Sequence, residues 1–330
     1  MNDIGPLRIG TRGSRLALAQ TNTVIDALKQ THPLLRKKGA TEVVVITTTG
    51  DRVKNRLLAE VGGKGMFTKE IDEALLNFQI DIAIHSMKDI PTFPQQDIAL
   101  HAIMPREDVR DALVAREPTS FNDLPKGATI GTASLRRKSQ ILNARPDLRI
   151  VPFRGNVDTR IKKIETGEVD ATLLAYAGLK RLGKEGAATE ILETDLILPA
   201  VGQGSLAATC RTSDAGANAL LAGLAEPPNT AAIIAERTML GVLDGSCHTP
   251  IAGLAQPDGK GNISMRGLIA RPDGTELAKV SASAPLTDAQ ELGRSLAEDL
   301  LVEAGPGILS TIESDRPFFF QPHPEMEQES

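Results

Sequence analysis

The sequence predicts an α/β protein of three domains: two α/β domains flanking a hinged cleft, and a smaller α+β carboxy-terminal domain with an antiparallel sheet. Three observations point to this. A chain of 330 residues is too long for one small hydrophobic core. From residue 7 to about residue 175, strand-like and helix-like apolar spacings alternate, as in α/β units. From about Asn229 the pattern changes to one helix, short strands separated by turn residues, and a last helix.

In chain order, Leu7 to Ile9 is a short strand, and Ser14 can cap a helix with Ala17, Thr21, Val24 and Leu28 on one face. Glu42 to Thr47 is the next strand. After a glycine-rich loop, Thr68 can cap a helix that buries Ile71, Ala74, Leu75 and Phe78 at i, i+3, i+4 and i+7. Ile80, Ile82 and Ile84 alternate as a strand and deliver His85-Ser86-Met87-Lys88-Asp89 to its carboxyl end, where open α/β sheets bind ligands. A linker at 104–108 leads to a second unit: strands at Ala112 to Ala115 and Ala128 to Gly131, a helix capped by Ser134, then strands at Arg149 to Phe153 and Ala171 to Ala175. Near 198–203 the chain crosses back. A helix through Ile233, Ile234 and Leu240 follows, then turns at 257–259 and 272–274, and a capping-box pair, Thr287 and Gln290, opening a helix with Leu292, Leu296 and Leu300 inward. The expected division is 1–104 with 200–225, 105–199, and 226–314. Residues 315–330, rich in Pro and Glu, read as a loose tail.

Composition narrows the function. A net charge of −5, scarce aromatic residues and no Trp argue against a nucleic-acid binder. No apolar run is long enough to span a bilayer, and the amino terminus has neither a basic leader nor a long apolar stretch, so no secretory signal is read. Two cysteines, at 210 and 247 without C-x-x-C spacing, fit a reducing cytoplasm, with a disulfide as the weaker alternative. The five dispersed histidines offer no metal framework.

Several local patterns carry candidate chemistry. Gly62-Gly63-Lys64-Gly65 lacks phosphate-loop spacing and reads as a mobile or tightly turned segment. Ser86-Met87-Lys88-Asp89 sets a cation and a carboxylate at a strand end; a surface turn with a weak ion pair is the alternative. Gly131-Thr132-Ala133-Ser134-Leu135-Arg136-Arg137 is a strand-to-helix turn with amide donors and two guanidinium groups suited to carboxylates, unless the arginines are merely solvated. Arg12, Arg154, Arg160 and Lys180-Arg181 also fall near expected strand ends. An acidic protein that gathers such cations in one cleft suits small polyanions. Cys210 lies in an apolar run and reads as packing, whereas Cys247, in the polar loop Leu243 to His248, reads as the reactive thiol, with a bystander thiol as the alternative.

Over nearly the whole chain, from Leu7 to Ile312, the sequence resembles the porphobilinogen deaminases. The family's T-R-x-S-x-L-A-x-x-Q opening is matched by Thr11, Arg12, Ser14, Leu16, Ala17 and Gln20. V-G-G-K-G-x-F, H-S-x-K-D-x-P, G-T-x-S-x-R-R, R-G-N-x-x-T-R and L-P-A-x-G-Q-G follow in order at 61–67, 85–91, 131–137, 154–160 and 198–204. The departure is at the cofactor loop, where the common bacterial G-G-C-Q-V-P reads Gly245-Ser246-Cys247-His248-Thr249-Pro250.

The resemblance implies a soluble, monomeric, cytoplasmic transferase of tetrapyrrole and heme biosynthesis. It would join four porphobilinogen molecules head to tail, releasing ammonia, on a dipyrromethane held by a thioether to Cys247. Asp89 would be catalytic, accepting hydrogen bonds from pyrrole N–H groups. Lys88, Ser134, Arg136 and Arg137 would hold cofactor carboxylates. Arg12, Ser14, Ser86, Arg154, Arg160 and Gln203 would handle porphobilinogen and the growing polypyrrole, with Lys64 in a loop over the cleft. No metal, nucleic acid or membrane is implied. The alternative is an anionic-solute-binding protein, because the hinged pair of domains also resembles periplasmic binding proteins of type II.

Overall fold

The structure is a computed structural model, and it describes residues 5–52, 65–243 and 250–314. The chain begins with β1 (Leu7–Arg12), α1 (Arg15–Thr31), β2 (Thr41–Ile46), α2 (Thr49–Arg52), α3 (Lys69–Leu76), β3 (Ile82–Ser86) and β4 (Ile98–Ile103). It crosses into β5 (Asp111–Ala115), β6 (Thr129–Gly131), α4 (Leu135–Ala144), β7 (Arg149–Val151), α5 (Val157–Glu165), β8 (Ala171–Ala175), α6 (Tyr176–Arg181) and β9 (Glu190–Leu192). It then returns through β10 (Leu206–Arg211) and α7 (Ala215–Ala222). The last part is α8 (Pro227–Val242), β11 (Ile251–Pro257), β12 (Asn262–Ala270), β13 (Leu277–Pro285) and α9 (Ala289–Ser314).

The strands form three sheets, ordered β2-β1-β3-β10-β4, β7-β6-β8-β5-β9 and β11-β12-β13. The first two follow one plan. In each, three parallel strands are extended by an antiparallel strand that enters just after the chain crosses over, β10 in the first sheet and β5 in the second. The third sheet is antiparallel throughout. The molecule is therefore two α/β domains of the periplasmic-binding-protein type II-like kind with a smaller α+β domain attached.

β3 is buried along almost its whole length because neighbouring strands flank it on both sides and helices cover the sheet. The parallel strands β1 and β3 end at Arg12 and Ser86, and β6 and β7 end at Gly131 and Val151. Each of these carboxyl ends leads into one of the polar motifs singled out in the sequence. The third domain closes around Met239 of α8, Ile263 and Met265 of β12, and Leu292, Leu296 and Leu300 of α9.

Three local expectations need correction. Phe78 is not buried: α3 ends at Leu76, Phe78 adopts φ 55°, and its ring is 64 % exposed, 4.6 Å from the Arg211 guanidinium carbon. The left-handed residue just past the helix swings the ring off the core face. Thr68 does occupy the cap position of α3, but its hydroxyl makes no capping bond and turns toward the Gly65 carbonyl. Thr287 opens no capping box, because a 3-10 turn over Leu286–Asp288 precedes α9 and its hydroxyl bonds Asp288.

Candidate active site

The two crossovers run side by side, with Glu107 N–H donating to Gly204 O at 3.2 Å. Gly202 and Gly204 have φ of 74° and 87°. A Cβ at Gly202 would lie 2.6 Å from Met87 Cγ, and one at Gly204 would lie 2.4 Å from Glu107 O. Only glycine permits both the left-handed backbone and these approaches, which explains the G-Q-G spacing. Gln203 is thereby fixed between the two domains, fully buried.

Its amide joins one network. Gln203 Nε2 donates to Val109 O and Asp111 Oδ1, both at 2.8 Å, and its Oε1 accepts from Lys88 Nζ at 3.3 Å. Asp111, fully buried at the head of β5, also accepts from Arg136 Nη2 at 2.9 Å, and from Arg137 Nε at 3.1 Å and Nη2 at 2.8 Å. Burial works against its charge, but Arg137 and Arg136 overcome that and hold the carboxyl well below the usual range. Arg136 donates further to Leu198 O at 2.7 Å. Sequence reasoning missed Asp111, whose acidic neighbours Glu107 and Asp108 gave no means of distinguishing it.

Helix caps aim the cations. Ser134 Oγ accepts from Arg137 N at 3.4 Å, placing Arg136 and Arg137 in the first turn of α4. Asn156 caps α5, accepting from Thr159 N at 2.8 Å, and Arg160 follows in that helix. Arg160 Nε donates to Gly155 O at 2.8 Å. Burial first, then the like charges of Arg137 and Arg154, lower Arg160 to about 10. Among the described residues, the buried Arg154 Nε has no hydrogen-bond partner. Lys88 has exposed surface yet is walled in by protein, as fits a side chain lining a cleft; burial first, then Arg137, lowers its ammonium to about 8. Lys88, Arg137, Arg154 and Arg160 thus crowd positive charge together.

Asp89, next to Lys88 in the 3-10 turn Met87–Asp89, is half-buried. Among the described residues, no side chain donates a hydrogen bond to its carboxylate. It is an acceptor held beside a cluster of donors.

The remaining candidates are more committed. Arg12 pairs with Asp51, Nη2 to Oδ1 at 2.5 Å, and lies 4.2 Å from the Phe67 ring centroid, so an incoming anion must compete with Asp51. Ser14 caps α1, accepting from Ala17 N at 3.2 Å, and Ser86 Oγ accepts from Gln20 Nε2 at 2.9 Å. Lys180 and Arg181 face the crossovers, bonding Glu107 at 2.5 Å and Gly204 O at 2.7 Å. They brace the hinge. Cys210 is fully buried, and burial pushes its thiol up to about 11, consistent with packing. Lys64, Cys247 with its neighbours Ser246 and His248, and the tail from 315 lie outside the described residues.

Fold and site together define a hinged α/β protein with a cation-rich cleft between two domains and a third domain packed behind the hinge. The chain belongs to the porphobilinogen deaminase family. Residues 7–219 match the family model described as "Porphobilinogen deaminase, dipyromethane cofactor binding domain", and residues 230–302 match "Porphobilinogen deaminase, C-terminal domain". Among its relatives, the chloroplastic porphobilinogen deaminase of Pisum sativum is 50% identical, covering 94% of this chain and 85% of that one. The chloroplastic enzyme of Oryza sativa subsp. japonica is 48% identical over 93% and 86%, and porphobilinogen deaminase of Nitrobacter winogradskyi is 50% identical over 90% and 93%. Among solved structures, the BvgS VFT2 domain of Bordetella pertussis is similar with a TM-score of 0.40 and 13% identity, covering 68% of this chain and 88% of that one.

Proposed function

We propose that this chain is the transferase that condenses four porphobilinogen molecules into the linear tetrapyrrole hydroxymethylbilane, releasing ammonia at each addition. The observation that carries the proposal is that Lys88, next to Asp89 in the chain, shares its surroundings with Arg137, which Arg160 and Arg154 also crowd with like charge, while a buried guanidinium nitrogen of Arg154 lacks a partner among the described residues. Such an excess of donors fits a ligand carrying several carboxylates. A dipyrromethane, with an acetate and a propionate on each ring, meets that requirement and would supply the nucleophilic pyrrole carbon that the first unit joins, each later unit joining the free α-carbon of the ring added before it.

The protein's own residues have separable tasks. Arg137 and Lys88 would grip cofactor carboxylates, with Ser134 fixing the start of α4 and Arg136 bracing the wall behind through Asp111 and Leu198. Arg154 and Arg160, with Arg12, Ser14 and Ser86, would receive the carboxylates of incoming substrate and growing chain. At an effective dielectric near 20, one unit pair at 4 Å is worth about 4 kcal/mol before desolvation, so several are needed to offset repulsion along a polyanion. Asp89 Oδ atoms would accept from pyrrole N–H groups, stabilise positive charge as ammonia leaves, and then help move the proton from the newly substituted ring carbon. Gln203 ties the Lys88 wall to the Asp111 wall rather than presenting its amide to ligand. Cys247 remains the proposed thioether anchor, and Lys64 a residue of the covering loop.

Among the described residues, no helix is long and apolar enough to cross a membrane. The pea and rice relatives are named chloroplastic, so family membership leaves the compartment open. Charge and cysteine usage favour a cytoplasmic protein with no nucleic-acid partner, and a monomer is what the family resemblance implies. Incubation with porphobilinogen tests the function: one ammonia released per molecule consumed, with a linear tetrapyrrole as product, supports it. Binding without ammonia release would instead make the chain an anionic-solute-binding protein.

A further inference from the structure

Helix α8 belongs to the third domain, but one of its faces lies against the segment that carries Asp89. Ile233, almost fully buried, packs with Met87, Ile90, Ala102 and Ala207 of the first domain. One turn later, Arg237 Nη2 donates to the carbonyl oxygens of Pro91 at 2.7 Å and Thr92 at 2.8 Å. A further turn on, a Cβ at Gly241 would come within 3.7 Å of the Phe93 ring. Positions i, i+4 and i+8 of α8 therefore form one stripe along residues 87–93.

Past its turn that segment is irregular. After the 3-10 turn, Pro91 to Asp97 form neither strand nor helix, and Pro91 and Pro94 supply no backbone N–H. Arg237 is largely enclosed, burial lowers it to about 10, and among the described residues no carboxylate pairs with it. A part-buried cation whose bonds to Pro91 O and Thr92 O both end on one irregular stretch of backbone is well suited to fixing that stretch.

We infer that Arg237 is a positioning residue for Asp89: it pins the two carbonyls that follow the turn and so sets where the Asp89 carboxylate stands relative to the cleft. The inference rests on the role proposed for Asp89. It also gives the third domain a part in the reaction, because the helix that steadies the acid's turn is the same one that ends five residues before Cys247 in the sequence.

The test compares full-length wild type, Arg237→Gln and Arg237→Lys by steady-state kinetics and by hydrogen exchange of the peptide spanning 87–93. Arg237→Gln loses about ten- to a hundredfold in kcat, the scale of one hydrogen bond to a charged group, with KM little changed. Its 87–93 amides exchange faster while those of 131–160 do not. Arg237→Lys keeps the cation but not the planar fork, falls between, and carries the same comparison if the glutamine variant does not fold. Unchanged exchange at 87–93, or faster exchange with wild-type kcat, overturns the positioning role. An inactive wild type overturns the proposed activity and the role with it; an active wild type matched by Arg237→Gln overturns the role alone.

Discussion

Arg137 meets Asp111 side-on, Nε to Oδ2 at 3.1 Å and Nη2 to Oδ1 at 2.8 Å, while Arg136 and Gln203 bond the same carboxylate from other directions. One buried acid thus orients two arginines and, through Gln203, reaches Lys88 across the hinge. The carboxylate neutralises only part of the charge around it, leaving cationic excess for a ligand.

Asp111→Asn removes the carboxylate from two buried arginines while preserving its shape. Breaking one partner of a buried ionic group costs about 3–5 kcal/mol, so the variant unfolds at markedly lower urea concentration. A midpoint equal to wild type would show that Asp111 does not hold the arginines.

Lys88 makes anion binding depend on pH. Its folded pKa, about 8, lies below the ordinary 10.5, so between those values the unfolded chain holds a proton that the ligand-free folded protein lacks. The penalty for the ammonium is fully present below about pH 8 and is relieved as pH rises through that window, so stability increases with pH there and the penalty is gone above the ordinary 10.5. An incoming carboxylate favours the ammonium. Binding of a polycarboxylate near pH 8 should therefore take up protons, and affinity should fall as pH rises; calorimetry in buffers of different ionisation enthalpy reads both. Lys88→Met should abolish the uptake.

Asp89→Asn keeps the size of the side chain but removes its charge and its ability to take a proton. The expected loss is about a hundredfold or more in kcat, the scale of general acid–base catalysis, with an unchanged circular dichroism spectrum. Ammonia release within threefold of wild type would remove Asp89 from the reaction.

Arg154→Gln and Arg160→Gln each withdraw a cation from the crowded cluster. Both should raise KM for porphobilinogen, and the rise should shrink at high salt, where screening weakens the interaction in wild type as well. A KM unaffected by either substitution would place substrate carboxylates elsewhere.

Much of the fold was legible because the physics is local. The apolar spacing of α1 and α3, the caps at Ser14 and Ser134, and the turns at 257–259 and 272–274 all lie within a few residues of what they control. The site was legible only as separate motifs. Nothing in the sequence sets Asp111 apart from Glu107 and Asp108, since its importance comes from Arg136, Arg137 and Gln203 arriving from distant segments. Lys180 and Arg181 read as cleft cations but turn toward the crossovers, a direction fixed by how α6 packs. Phe78 kept the helical period while the helix itself ended two residues earlier. Arg237 carried no motif at all, and its significance depends on the tertiary approach of α8 to residues 87–93.

The most direct measurement is the intact mass of freshly purified protein, followed by proteolysis to find the modified peptide. A tethered dipyrromethane should add its mass to the wild-type chain, the addition should map to Cys247, and Cys247→Ala should lack both the addition and turnover. An active wild-type protein of unmodified mass, or an adduct on Cys210, would contradict the proposed anchor.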